Sequence, residues 1–85
     1  MVYDERNIKL LYISKYVEFK INNNCFEFHN YIYKTGVTMK NVPDFITFMQ
    51  KGVTEQELLN YIKNKIDSEN SQEILEELIR CGVVE

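Results

Sequence analysis

The chain has 85 residues, enough for one small domain and too few for an enzyme with a cleft between two lobes. Its composition is 45% hydrophobic and 13% aromatic with only three glycines and one proline, which favours a folded core over a disordered segment. The net charge of −3 is unevenly divided, because residues 1–42 carry +2 and residues 43–85 carry −5. This mild acidity argues against a general nucleic-acid binder.

The two cysteines, Cys25 and Cys81, are far apart and lack the CxxC spacing of zinc sites. We therefore predict two reduced thiols, no metal and no disulfide. The N-terminus is acidic where a signal peptide is basic, and no apolar run approaches the roughly 20 residues of a membrane span. These features predict a cytoplasmic protein without membrane contact.

The first half of the chain predicts three strands. Residues 13–21 alternate between apolar and polar side chains, the pattern of a half-buried strand. Three asparagines follow, and asparagine tolerates the left-handed backbone of tight turns. A second strand over residues 25–29 would pair with the first as a hairpin. Residues from Tyr31 to Met39 are expected to form a third strand or an extension of the second, with a bulge or close backbone approach at Gly36.

After residue 42 the apolar period changes from two to 3.6, which predicts helices. Pro43 suits the first position of a short helix, with Asp44 near its positive end and Gly52 as its stop. Thr54 and Glu57 have the spacing of a capping box, in which each side chain bonds the other residue's backbone. A second helix is therefore expected to begin there.

A third helix is predicted from Asn70 or Ser71, either of which can cap it, to a stop at Gly82. Its core-facing residues are Leu75, Leu78 and Ile79. Three strands followed by three helices predict the α+β class, as a three-stranded antiparallel sheet with a winged helix-turn-helix-like arrangement. We expect an N-terminal segment over residues 1–12 and a single domain over residues 13–85.

Catalysis by this chain is not expected. The single histidine, His29, has no partner at a motif spacing except Cys25, four residues before it, and a strand histidine is the simpler interpretation. Three glutamates of the third helix could serve acid–base chemistry, but a solvated helix face explains them as well. The glycines are isolated, so no phosphate-binding loop is present. We predict no cofactor.

The predicted third helix also argues against reading DNA. In a winged helix it would enter the major groove, yet from Ser71 to Cys81 it carries three glutamates and one arginine. A different use would be peptide binding at a sheet edge, where the third strand offers unpaired backbone groups to another extended chain. The alternative is an edge strand that binds nothing and whose Lys34 and Lys40 prevent pairing with other chains.

Several local strings resemble a known family. They are Val17–Lys20, Cys25–Phe28, the turn Gly52–Leu59 and the ending Ile74–Glu85. Together with the order of elements, they resemble a RiPP recognition element, the PqqD-like domain that acts as a peptide chaperone for ribosomally made, post-translationally modified peptides. The resemblance covers about residues 13–85. Its most recognisable parts are the G-x-T-x-x-E-L turn and the glycine followed by apolar residues at the end.

The resemblance implies a function in natural-product biosynthesis, for example of bacteriocins. Such a domain binds the leader segment of a precursor peptide, which adds to the third strand and packs on the third helix. Carried over by position, the peptide-binding residues are Lys34, Thr35, Gly36, Val37, Thr38, Met39 and Lys40 on the strand, and Ile74, Glu77 and Cys81 on the helix.

The resemblance further implies a modifying enzyme as partner, such as a cyclodehydratase, a dehydrogenase, a radical enzyme or a leader peptidase. The chain is expected to be either free-standing or part of a larger enzyme. Two other interpretations stay open. One is a winged-helix DNA-binding or regulatory domain, and the other is a structural subunit or enzyme fragment whose active site lies elsewhere.

Overall fold

A computed structural model describes residues 2–3 and 8–85. The chain is α+β, with a three-stranded antiparallel sheet followed by three helices, as expected from the sequence. A pair of two-residue strands that the sequence did not predict precedes the sheet. The elements are β1 (Val2–Tyr3), β2 (Lys9–Leu10), β3 (Val17–Asn22), β4 (Cys25–Asn30), β5 (Thr35–Lys40), α1 (Phe45–Gln50), α2 (Glu55–Lys65) and α3 (Ser71–Arg80).

The sheet has the order β3-β4-β5, so β5 lies at one edge. Asn23, with φ of 56°, makes the tight turn between β3 and β4 that the asparagine run predicted. The inner face of the sheet buries Phe26 and Phe28 of β4 together with Val37 and Met39 of β5. The alternation of buried and exposed residues along β5 is therefore that of an edge strand with one covered face.

The first predicted strand starts four residues later than expected, at Val17. Residues 13–16 bend, because the Ser14 hydroxyl accepts a hydrogen bond from the Tyr16 amide and the Ser14 carbonyl accepts one from Val17. Packing also begins before the expected boundary at residue 13. Leu11 is only 2% exposed. Its amide donates to the Val53 carbonyl at 2.7 Å, and its carbonyl accepts from the Val53 amide at 3.0 Å.

The third predicted strand also starts four residues late, at Thr35, because Asn30 ends β4 and makes a turn. The Asn30 side-chain oxygen accepts hydrogen bonds from the amides of Ile32 and Tyr33, each at 2.9 Å. An asparagine that binds amides two and three residues ahead competes with strand pairing. The apolar alternation at Tyr31 and Tyr33 therefore belongs to a turn.

The first helix is shorter than predicted and starts later. Pro43 lies outside it, and Asp44 is its N-cap without a side-chain capping bond. The Asp44 carboxylate instead accepts a hydrogen bond from the Tyr61 hydroxyl at 2.6 Å, which lowers the pKa of Asp44. This contact joins the start of α1 to α2.

The capping box of α2 is confirmed: the Glu57 amide donates to the Thr54 hydroxyl at 3.1 Å, and the Thr54 amide donates to the Glu57 carboxylate at 2.8 Å. At the start of α3, neither predicted cap residue makes a side-chain capping bond. Asn70 occupies the cap position, but the Asp67 carboxylate accepts from the amides of Glu69 and Asn70.

The end of α3 is a Schellman motif at Gly82, whose φ is +72°. The Gly82 amide donates to the Ile79 carbonyl, and the Val83 amide donates to the Leu78 carbonyl at 2.9 Å. The chain then runs beside residues 12–14: Tyr12 and Glu85 exchange two backbone bonds of 2.9 Å. The predicted glycine stop is confirmed, and the turn brings Val83 and Val84 into the core.

A single cluster of buried side chains joins the sheet to the helices. Phe28 on β4 meets Phe45 of α1 at a ring-centroid distance of 5.9 Å, and Phe45 meets Tyr61 of α2 at 5.7 Å. Leu75 and Leu78 bring α3 into the same cluster, as its 3.6-residue pattern predicted. The three helices thus cover the inner face of the sheet mainly along β4 and β5.

The buried position of Leu78 gives a first prediction. Because its side chain is 0% exposed, Leu78→Ala should lower the free energy of unfolding by about 2 to 5 kcal/mol, through lost burial and a residual cavity. Chemical denaturation measures this change. Glu76→Ala, on the exposed side of the same helix, should shift stability by no more than about 0.5 kcal/mol. A loss below about 1 kcal/mol at Leu78 would mean that α3 is rotated.

Gly82 and Gly36 give a matched pair of glycine substitutions. Gly82 has a positive φ, and a Cβ atom there would lie 2.6 Å from both the side-chain nitrogen of Asn30 and the Tyr33 ring. At Gly36 the nearest atom would be 3.5 Å away, an ordinary contact. Gly82→Ala should therefore cost about 1 to 3 kcal/mol, while Gly36→Ala should leave the thermal midpoint unchanged or higher. Equal effects at both positions would contradict the described ending of α3.

Candidate functional site

The outer edge of β5 presents unpaired backbone groups. The Asn41 amide donates to the Asn24 carbonyl at 2.7 Å, which fixes the phase of the hydrogen bonds between β4 and β5. Because bonded and non-bonded pairs alternate in an antiparallel ladder, residues 35, 37 and 39 face β4. The amides and carbonyls of Gly36, Thr38 and Lys40 therefore point outward, where no strand among the described residues pairs with them.

The other edge of the sheet supports the same phase. The Tyr31 amide donates to the Tyr16 carbonyl at 3.2 Å, which directs residues 25, 27 and 29 of β4 toward β3. The backbone groups of residues 26, 28 and 30 then face β5, which agrees with residues 35, 37 and 39 of β5 facing β4. The outward residues of β3 are consequently 17, 19 and 21.

A groove of about 350 Å³ lies between the edge strand β5 and helix α3. Its apolar surface comes from Val37 and Met39 on the strand, Ile66 after α2, and Ile74 on α3. Its polar lining residues are Thr38, Lys40, Asp67, Asn70, Glu73 and Glu77. An open strand edge thus lies along a groove with an apolar floor and a helical wall. We call this feature the β5–α3 groove.

The rotation of α3 about its axis determines which of its side chains line the groove. Leu75 and Leu78 point into the core. Glu73, Ile74 and Glu77 lie on the neighbouring face of the helix and form the wall of the groove. Ile74 is half-buried and joins the groove to the core. The structure thus places Ile74 and Glu77, two of the three helix residues carried over from the resemblance, in the wall of the groove.

One end of the groove is closed by two hydrogen bonds to the end of α3. The Thr35 hydroxyl donates to the Cys81 carbonyl at 2.6 Å, and the Asn30 side chain donates to the Gly82 carbonyl at 2.9 Å. Since Thr35 starts β5 while Cys81 follows α3, the strand and the helix run in opposite directions along the groove. The other end lies at Lys40, Asp67 and Asn70.

The predicted site residues are therefore only partly brought together. Val37, Thr38, Met39, Lys40, Ile74 and Glu77 share the groove. Thr35 and Cys81 belong to its closed end, where Cys81 is buried and its thiol lies 3.5 Å from the Glu77 carboxylate. Burial, reinforced by this contact, raises the pKa of Cys81. Lys34 is exposed in the preceding turn, and Gly36 borders a separate depression of about 440 Å³ on the opposite, solvent face of the sheet.

Four groove residues were missed from the sequence: Ile66, Asp67, Asn70 and Glu73. The sequence pattern predicts Asn70 only as a cap of the third helix and gives Ile66 and Asp67 no part in the site. Asp67 accepts two backbone amides and the Asn70 side chain, and these bonds lower the pKa of Asp67. These bonds lie within the loop and hold it in a tight turn. Glu73 could have been found from its spacing, because it precedes Glu77 by four residues.

The only described histidine is not close to the described cysteine on its own strand. Cys25 and His29 share one face of β4 and are four residues apart, which separates them by about 13 Å along the strand. Within the described part of the chain, no three His, Cys, Asp or Glu residues are grouped to hold a metal ion. Helix α2, with eleven residues, is the longest described, and none of the described helices could cross a bilayer.

Comparison of the chain with protein-family models, with curated proteins and with solved structures returned no match.

Proposed function

We propose that this chain binds the leader segment of a ribosomally synthesised, post-translationally modified precursor peptide. The leader adds as a strand to the outer edge of β5 and packs its side chains against α3. The observation that carries the proposal is the coincidence of an open strand edge with a groove that has an apolar floor and runs beside residues 37–40 of β5. Strand addition uses main-chain bonds for affinity and pockets for alternate side chains for specificity.

The dimensions of the groove suit a short extended segment. Six residues of β5 span about 20 Å, and the ten residues of α3 span about 15 Å. Three outward residues of β5 offer donors and acceptors at every second position. A peptide of five to seven residues, as a rough estimate from these lengths, would cover the edge.

We further propose that the chain is a non-catalytic adaptor of the winged helix-turn-helix type, similar to a PqqD-like RiPP recognition element. It would work without a cofactor in the cytoplasm and deliver the bound precursor to a modifying enzyme. A cyclodehydratase, a dehydrogenase, a radical enzyme or a leader peptidase would fit this partnership. In this proposal β4, β5 and their turn form the hairpin that lies beside α2 and α3.

DNA binding is the less favoured alternative for the same outline. Glu73 and Glu76 are exposed on α3, and Arg80 contacts Glu77, so little free positive charge is left on this helix. A helix placed in the major groove must approach phosphates, and carboxylates there oppose binding. The charge of α3 thus favours a peptide over a duplex.

A titration with a leader peptide tests the proposal. The leader of a precursor encoded beside this gene should bind with a dissociation constant below about 100 µM, which corresponds to about −5.5 kcal/mol. Isothermal calorimetry measures the constant, and the core segment of the same precursor serves as the control that should not bind. The absence of binding up to that concentration would rule the proposal out. A duplex-DNA shift with steep salt dependence would favour the alternative.

Proline substitution tests the strand edge itself. Thr38→Pro should weaken leader binding at least about tenfold, because it removes an outward amide while leaving the bonds to β4 in place. Val37 is the wrong position for this test, since its amide faces β4. The matched control is Ile21→Pro, which removes an outward amide from the opposite edge at a residue that is 59% exposed. Equal binding by the two variants, with circular dichroism confirming the fold, would exclude addition to β5.

A further inference from the structure

The charged residues of the β5–α3 groove are unequally distributed between its two walls. Three carboxylates line it, from Asp67, Glu73 and Glu77, against the single ammonium group of Lys40. Glu73 and Glu77 are on α3, which faces the same side of the sheet as Val37 and Met39. Lys40 is exposed at the strand end of the groove. The helical wall is therefore acidic.

These three carboxylates differ in their availability. Asp67 is engaged by the amides of Glu69 and Asn70 and by the Asn70 side chain. Glu77 contacts Arg80, which is itself largely exposed, and the Cys81 thiol. Glu73 is exposed, and its carboxylate makes no hydrogen bond or ion pair with any residue that the structure describes. It is the carboxylate with the most freedom to meet a ligand.

The geometry of strand addition determines which ligand side chains meet this wall. Every second side chain of an added strand points to the face of Val37 and Met39, and therefore toward α3. Successive groove-facing side chains are about 7 Å apart, close to the roughly 6 Å rise between Glu73 and Glu77 on the helix. One such side chain can pack on Ile66 and Ile74 while the next reaches the glutamates.

We propose that the groove selects an extended peptide segment in which two alternate, groove-facing positions hold an apolar side chain and a lysine or arginine. The apolar side chain packs on Met39, Ile66 and Ile74, and the cation pairs with Glu73 and Glu77. An acidic residue at the second position would face two carboxylates across a partly dehydrated groove, which disfavours it. This inference rests on the proposed function and names the chemical class of segment that the site takes.

The test is a selection from a library of random nine-residue peptides displayed on phage. The wild-type protein is the bait, and sequences that also bind the Thr38→Pro variant are discarded. We expect enrichment of sequences with Lys or Arg two positions from an aliphatic or aromatic residue. One enriched peptide, with its basic residue replaced by glutamate, should bind about tenfold more weakly by fluorescence polarisation, and the difference should shrink in 1 M salt, where the Debye length is about 3 Å.

Two charge reversals on α3 assign the preference to the groove. Glu73→Lys should abolish the enrichment of basic residues, because it places a cation beside Glu77 on the wall. Glu76→Lys makes the same change of charge three residues away on the same helix, at an exposed position outside the groove lining, and should preserve it. Thermal melts of both variants check that each remains folded.

The outcomes separate the two proposals. Enriched sequences without a basic preference, or a preference that survives Glu73→Lys, would overturn this inference and leave strand addition standing. If no sequence is enriched on the wild type over the Thr38→Pro variant, both the inference and the proposed function are overturned.

Discussion

The side chain of Asn30 is the contact on which the rest of the site depends. Only 2% exposed, it accepts two amides of the turn after β4 and donates to the Gly82 carbonyl at the end of α3. Asn30 thus holds the turn that leads into β5, and it also ties the sheet to the end of α3. Because a buried polar group left without a partner costs about 1 to 3 kcal/mol, these bonds strongly specify the arrangement. The hydrogen bond from the Thr35 hydroxyl to the Cys81 carbonyl adds a second tie between β5 and α3 at this end.

Gly82 is the counterpart of Asn30 in this contact. Its positive φ lets the chain turn back after α3, and its missing side chain leaves room for the Asn30 amide and the Tyr33 ring. The residues that follow then pair with residues 12–14, so the segment after α3 is held against the segment before the sheet. The closed end of the groove therefore depends on the turn at Gly82 as well as on the sheet.

The sequence predicted the elements well where a local pattern determined them. The capping box at Thr54, the turn at Asn23 and the apolar stripe of α3 each depend on residues within a few positions of one another. It failed where a side chain overrode the pattern. Asn30 converted an apparent strand into a turn, and Asp44 bound Tyr61, seventeen residues away, instead of capping its own helix.

The site was predictable to a similar extent. An edge strand and a helix face could be expected from periodicity, and six of the ten predicted residues line one groove. The contribution of Ile66 and Asp67 could not be seen, because it depends on how the α2–α3 loop packs against β5. The outward phase of Thr38 likewise depends on the register with β4, which no local pattern in β5 determines.

Residue-by-residue amide hydrogen exchange, measured by NMR with and without the leader peptide, tests strand addition most directly. If the leader pairs with β5, the amides of Gly36, Thr38 and Lys40 should exchange at least about tenfold more slowly in the complex. Those of Val37 and Met39, already bonded to β4, should change little. Protection of residues 17, 19 and 21 on the opposite edge instead, or no alternating protection along β5, would contradict the proposed mode of binding.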